Sequence, residues 1–207
     1  MAKRAPNEEA LKHLAVADAR LAVIIKSVGA CEIKMRKDQF HSLVEAIIYQ
    51  QLADSAADAI YGRFIKIYGR FPRPAQLLET KDAKLRAAGL SGRKTEYLKD
   101  LAARVSDGRL KLARLPKLPD EQVIEQLVQV KGIGRWTAEM FMIFCLGRQD
   151  VLPVGDLGLR KAMQKTYSLD ELPSPENMRD IALPWKPYCS VATWYMWKSL
   201  EKFKGIG

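Results

Sequence analysis

Apolar side chains recur every three or four positions along most of the chain, and no stretch alternates convincingly with the period of two that a half-buried strand requires. A first helix is expected from Pro6-Asn7-Glu8-Glu9, with Asn7 as N-cap and two acids in its first turn. Its apolar face is Leu11, Leu14, Leu21, Ile25 and Val28, and Gly29 ends it. A second stripe, Phe40, Leu43, Val44, Ile47 and Ile48, runs into Tyr49-Gln50-Gln51-Leu52, where two adjacent amides interrupt it. Buried glutamines need partners, so this pair either caps the next helix or faces a polar ligand. Further helices are predicted over 55–68, 75–79, 82–88, 95–106, 157–166, 176–182 and 190–202, separated by glycine- and proline-rich turns. The expected class is all-α: a bundle of about ten helices, with no internal repeat and no low-complexity tract.

The stretch 127–156, LVQVKGIGRWTAEMFMIFCLGRQDVLPVGD, organises the rest. It reads as the end of a helix that starts at Asp120-Glu121, a tight turn at Lys131-Gly132-Ile133-Gly134, a second helix, a loop and an aspartate. Glycines at 132 and 134 let the backbone turn sharply and approach something outside, because neither carries a Cβ. The turn opens a helix, so its N–H groups and the positive end of the dipole suit an anion. An ordinary turn has the same G-x-G. The apolar periodicity on both flanks (Val123, Ile124, Leu127, Val128; Phe141, Phe144), the cation Arg135 and Thr137 near the helix start favour a helix–hairpin–helix clamp on a DNA backbone.

Charge supports that partner. Across 207 residues, 34 lysines and arginines face 24 aspartates and glutamates, a formal charge of +10. Such an excess suits a polyanion, although a merely soluble basic surface carries it too. Cys31, Cys145 and Cys189 are odd in number and widely spaced, which argues against a disulfide framework or a structural zinc site and for a reducing compartment. MAKRAPNEE lacks the pattern of a signal peptide, and no apolar run is long enough for a transmembrane helix, so an intracellular protein with no membrane association is expected.

GIGRWTAEM followed by VLPVGDLGLRKA resembles the helix–hairpin–helix DNA glycosylases, specifically their 3-methyladenine DNA glycosylase II (alkylation-repair) branch. The resemblance extends over most of the chain. It implies a single two-lobed helical domain over 1–207, with one lobe at 36–150 that includes the hairpin at 121–146, and the other made of 1–35 with 151–207. An extra N-terminal domain carried by some relatives is not expected. The activity implied is that of a monofunctional glycosylase of base excision repair. It would flip an alkylated purine out of double-stranded DNA, hydrolyse its N-glycosidic bond and leave an abasic site. Two alternatives stay open: a non-catalytic helix–hairpin–helix DNA-binding protein, and a bifunctional glycosylase/lyase acting on oxidised bases. A monomer is expected.

The resemblance also distributes roles. Asp156 is the expected catalytic carboxylate, and it is also a natural N-cap for the helix that follows. A helix N-terminus favours the ionised form, which suits a group that must oppose the positive charge building on the sugar. Trp136, Met140, Trp197 and Tyr49 are expected to line the base pocket, Trp197 by stacking on a base made cationic by alkylation. The lyase-type relatives carry lysine where this chain has Trp136, which argues against Schiff-base chemistry. Core packing would equally account for Trp136 and for the aromatic residues of the last helix. Leu52 matches the family's intercalating wedge, with Gln51 beside the orphaned base; an ordinary core leucine fits as well. Gly132, Gly134, Lys131, Arg135 and Thr137, with Arg93-Lys94, are candidate backbone contacts. No iron–sulfur cluster is expected, since its four cysteines are absent. A structural monovalent cation is implied on the carbonyls of Val128, Val130 and Ile133. Cys189, where relatives commonly have arginine, and Met140, where an aromatic can stand, depart from the family pattern and bear on substrate range.

Overall fold

The first apolar stripe is two helices, not one: α1 (Glu8–Ala17) and α2 (Ala19–Val28) are separated by Asp18. Its backbone is extended (φ −145°, ψ 106°) and its carboxylate accepts the N–H groups of Arg20 at 2.9 Å and Leu21 at 3.0 Å. Apolar spacing continues through the break, so periodicity alone reads straight across it. The computed structural model describes residues 8–36 and 38–203; the expected N-cap Asn7 lies outside them.

Asp18 does more than cap. The Tyr167 hydroxyl donates to it, as does Trp185 Nε1 at 2.9 Å, so one carboxylate ties together three separate stretches of chain. Burial is the largest influence on this group and opposes ionisation. The hydrogen bonds from Trp185, Tyr167, Leu21 and Arg20 together outweigh it and hold the carboxyl below its usual value. Asp18→Ala is therefore expected to destabilise the fold by about 2–3 kcal/mol, because it strands the indole and phenol donors. The native pKa is depressed, so the wild-type contribution is complete above the unfolded-state pKa and is lost as pH falls through the lower native value. Urea denaturation of both proteins at neutral and acid pH checks this: the gap between them should narrow towards acid.

The chain divides into two units, one from 8–35 with 142–203 and the other Arg36–Phe141. Among the described residues all regular structure is helical, with twelve α-helices and no strand. The 36–141 unit contains α3 (Gln39–Tyr49), α4 (Asp54–Tyr68), α5 (Pro74–Glu79), α6 (Asp82–Ala87), α7 (Gly92–Ser106), α8 (Asp120–Leu127) and α9 (Arg135–Phe141). A 3₁₀ turn, Leu112–Lys117, occupies the expected proline turn. Helix α7 packs against α3, α5 and α6, around Leu43, Ile47, Ile48, Leu77, Leu85, Leu98 and Leu101, all fully buried. It starts at Gly92, earlier than expected, because Ser91 Oγ accepts the Lys94 N–H at 3.2 Å and caps it.

In the other unit, α10 (Leu157–Tyr167), α11 (Pro175–Ala182) and α12 (Cys189–Phe203) join α1 and α2. Helix α12 packs against both α2 and α10 over Leu21, Leu159, Met163, Tyr195 and Met196. The lobe boundary expected after residue 150 falls instead after Phe141. There the α-helix passes into a π-helical turn, Met142–Leu146. The segment beyond is anchored to α12: Ser190 N–H donates to Gln149 O at 2.9 Å, and Val151 N–H donates to Ser190 Oγ at 3.0 Å.

Candidate functional site

The hairpin is built within the 36–141 unit. After α8 the chain turns through a Val130 N–H to Leu127 O bond of 3.0 Å and an Ile133 N–H to Val130 O bond of 3.1 Å, with Val130 and Ile133 buried as its anchors. Gly132 sits at φ +79°, and a Cβ there would lie 2.1–2.6 Å from three atoms of the Tyr97 ring. Both backbone conformation and space therefore demand glycine. Gly134 is different: a Cβ would meet nothing within 4 Å, and the residue is exposed. The first glycine makes the turn; the second leaves its outer surface bare.

Helix α7 is the footing of this turn. Asp100 Oδ2 accepts the Lys131 backbone N–H at 2.9 Å and is itself held by Arg104 Nε at 2.9 Å. That N–H is thus engaged within the fold, contrary to the expectation of an open row of donors. Glu96 pairs with Lys131 Nζ at 2.5 Å. Arg135 is paired too, with Glu121 at 2.5 Å and Glu139 at 3.2 Å. Both cations are exposed, and such pairs exchange readily for another anion. Thr137, expected to contact DNA, is only 7% exposed and faces the core. Lys94 was expected as a phosphate contact; its Nζ instead donates to Ile48 O and Gln50 O, both at 2.7 Å, and closes the C-terminus of α3. Burial lowers its pKa.

The turn that α3 feeds is the second feature of this unit. Gln50 Nε2 donates to Gly132 O at 2.8 Å, so one of the two glutamines is partnered by the hairpin. Gln51 adopts a left-handed φ of +56° and is exposed. Leu52 beside it is 37% exposed, which removes the reading of an ordinary core leucine. Trp136 is 48% exposed and so is not core either, while Met140 is half-buried. Tyr49 donates its hydroxyl to Asp58 of α4, which, with burial, pushes the phenol pKa up to about 12.

The carboxylate belongs to the other unit. Asp156 caps α10 with an extended backbone (φ −77°, ψ 117°), its Oδ1 accepting the Leu159 N–H at 2.5 Å. Trp197 Nε1 of α12 donates to the same oxygen at 2.8 Å. The Trp197 ring stacks on Phe144 of the π-helical turn, with centroids 6.1 Å apart and planes 22° from parallel. Phe144, read from the sequence as apolar flank, is thus the ring against which Trp197 stacks. The π-helical turn that sets it left no mark in the apolar spacing, although such turns are frequent at functional sites. Cys189 is buried at the start of α12, where its N–H approaches Asp150 at 3.4 Å and burial pushes its thiol pKa up.

A capped carboxylate beside a stacked indole, on a chain that also carries a glycine hairpin, matches a known group of proteins. The profile of the HhH-GPD superfamily base excision DNA repair proteins fits residues 44–187, which include both the hairpin and Asp156. The chain belongs to the HhH-GPD superfamily. A DNA-3-methyladenine glycosidase from Bacillus halodurans has a crystal structure similar to this HhH-GPD chain, with a TM-score of 0.88 and 38% identity, covering 99% of this chain and 95% of that one. A 3-methyladenine DNA glycosylase of Schizosaccharomyces pombe in complex with abasic DNA gives a TM-score of 0.83 and 34% identity, over 93% of this chain and 97% of that one. The alkylbase DNA glycosidase-like protein mag2 of the same yeast is 30% identical over 96% of both chains. Across three curated relatives of 30–34% identity, this HhH-GPD chain spans 66–96% of their lengths.

Proposed function

We propose that this protein is a monofunctional DNA glycosylase that removes alkylated purines of the 3-methyladenine type from duplex DNA and leaves an abasic site. The observation that carries the reading is the Asp156 carboxylate, fixed at the mouth of α10 by the Leu159 N–H and by the indole of Trp197, whose ring stacks on Phe144. Water's oxygen bonds to C1′ of the deoxyribose, the C1′–N bond breaks, and its electron pair leaves with the base. Asp156 opposes the positive charge that develops on the sugar and accepts the proton of the attacking water. A base already cationic from alkylation departs neutral, and its ring stacks favourably on Trp197 through a cation–π attraction of about 0.5–2 kcal/mol. The paired, basic hairpin takes the phosphodiester, and exposed Leu52 fills the gap left by the flipped nucleotide. Binding is expected to weaken steeply with salt.

The deciding experiment incubates the protein with methylated duplex DNA and identifies released free bases by mass. Release of methylated purines with an intact, abasic strand is expected. Binding without release would make the protein a non-catalytic module, and a borohydride-trapped protein–DNA adduct would make it a lyase. A monovalent cation on the carbonyls of Val128, Val130 and Ile133 belongs to the same proposal: Val130 O already accepts one N–H and keeps a second lone pair for an ion. Replacing potassium and sodium by tetramethylammonium at constant ionic strength should then weaken DNA binding.

A further inference from the structure

Gly158 lies in the first turn of α10 and is absent from the positions with positive φ, so its backbone does not require glycine. Within a helix glycine is the worse choice, because it gives up more conformational freedom on folding than alanine does. Its surroundings supply the reason. A Cβ at 158 would stand 3.1 Å from Asp156 Oδ1, 3.4 Å from Trp197 Cδ1 and 3.5 Å from Trp197 Nε1. The first distance is tighter than ordinary packing, and it falls on the acceptor of the 2.8 Å hydrogen bond between the two side chains.

We propose that Gly158 and the Trp197 indole N–H are the positioning elements of the Asp156 carboxylate. The bare Cα keeps open the space in which the indole reaches Oδ1. With the Leu159 N–H on the same oxygen, the carboxylate is oriented before any substrate arrives. Trp197 then has two separable jobs, a ring face for the base and an N–H for the acid. The inference rests on Asp156 acting as the catalytic carboxylate.

Gly158→Ala and Trp197→Phe test it in the full-length protein. Gly158→Ala should keep or raise Tm and bind abasic duplex within about twofold of wild type, yet lower the single-turnover rate at saturating enzyme by about tenfold. Trp197→Phe keeps a stacking ring and loses the donor; its maximal rate should fall similarly. The double variant should be little slower than either single one, because both break the same hydrogen bond. A readout independent of activity is the ¹⁵N–¹H resonance of the Trp197 indole, assigned by its disappearance in Trp197→Phe. It should move in Gly158→Ala and in Asp156→Ala. Wild-type rate with an unmoved indole resonance in Gly158→Ala would overturn the proposal. If the wild type releases no base while the resonance still responds to Gly158→Ala, the positioning geometry stands and the glycosylase reading falls.

Discussion

Asp156→Asn should slow base release by about a thousandfold or more while duplex affinity stays within about twofold of wild type. The substitution is nearly isosteric. An amide oxygen can still accept the N–H of Leu159 and the indole of Trp197, so α10 keeps its cap and Trp197 its anchor. What disappears is the negative charge that, on the proposed function, opposes the charge on the sugar and takes a proton from water. Both are worth most in the transition state, so the loss should lie in the rate of the chemical step and not in binding. Single-turnover kinetics on methylated duplex, with fluorescence anisotropy for affinity, separate the two. A variant within tenfold of the wild-type rate would remove Asp156 from the chemistry.

Gly132→Ala should be the most damaging methyl group that can be added to the hairpin, costing about 2–5 kcal/mol of stability. About 1–2 kcal/mol comes from forcing a side chain into left-handed backbone at φ +79°. The remainder comes from Tyr97, whose ring atoms lie 2.1–2.6 Å from where the methyl would be, so the ring or the turn must move. Either movement disturbs the turn that carries the Lys131 pairings, and affinity for DNA should fall with stability. Thermal unfolding and a DNA titration report the two losses. Tyr97→Ala should recover the steric part and leave the backbone part, so Gly132→Ala in that background should cost less than in wild type. Gly134→Ala is the contrasting case, with open space around its Cα and no comparable cost to folding.

The residues that fold this protein are legible in its sequence to very different degrees. The stripe Phe40, Leu43, Val44, Ile47 and Ile48 announces α3 because one buried face imposes its period on the side chains. Asp18 is invisible to the same logic, since the break it makes keeps the apolar residues in register on either side. The hairpin is readable because Gly132 is a local demand of backbone and packing. Its supports are not: Glu96, Tyr97 and Asp100 lie on a helix far back in the chain, and only the fold brings them under the turn. Lys94 shows the complementary failure. A cation at a helix start suggests a phosphate, and nothing local reveals that two carbonyls at the end of α3, of Ile48 and of the capping Gln50, already hold it. Asp156 is legible as a helix cap because its residue type and its place before an apolar-patterned segment suffice to indicate one. The neighbourhoods of Phe144 and Gly158 are not, because only the fold brings them against Trp197.

The bond from Gln50 to the Gly132 carbonyl has a mechanical consequence. Lys94 holds the Gln50–Leu52 corner to the end of α3 through the Ile48 and Gln50 carbonyls, and the Gln50 side chain ties the same residue to the hairpin. On the proposed function, a strand held by the hairpin would pull on the same corner that carries Leu52. Holding the strand and wedging the bases would then be coupled, on that function, through one residue, Gln50.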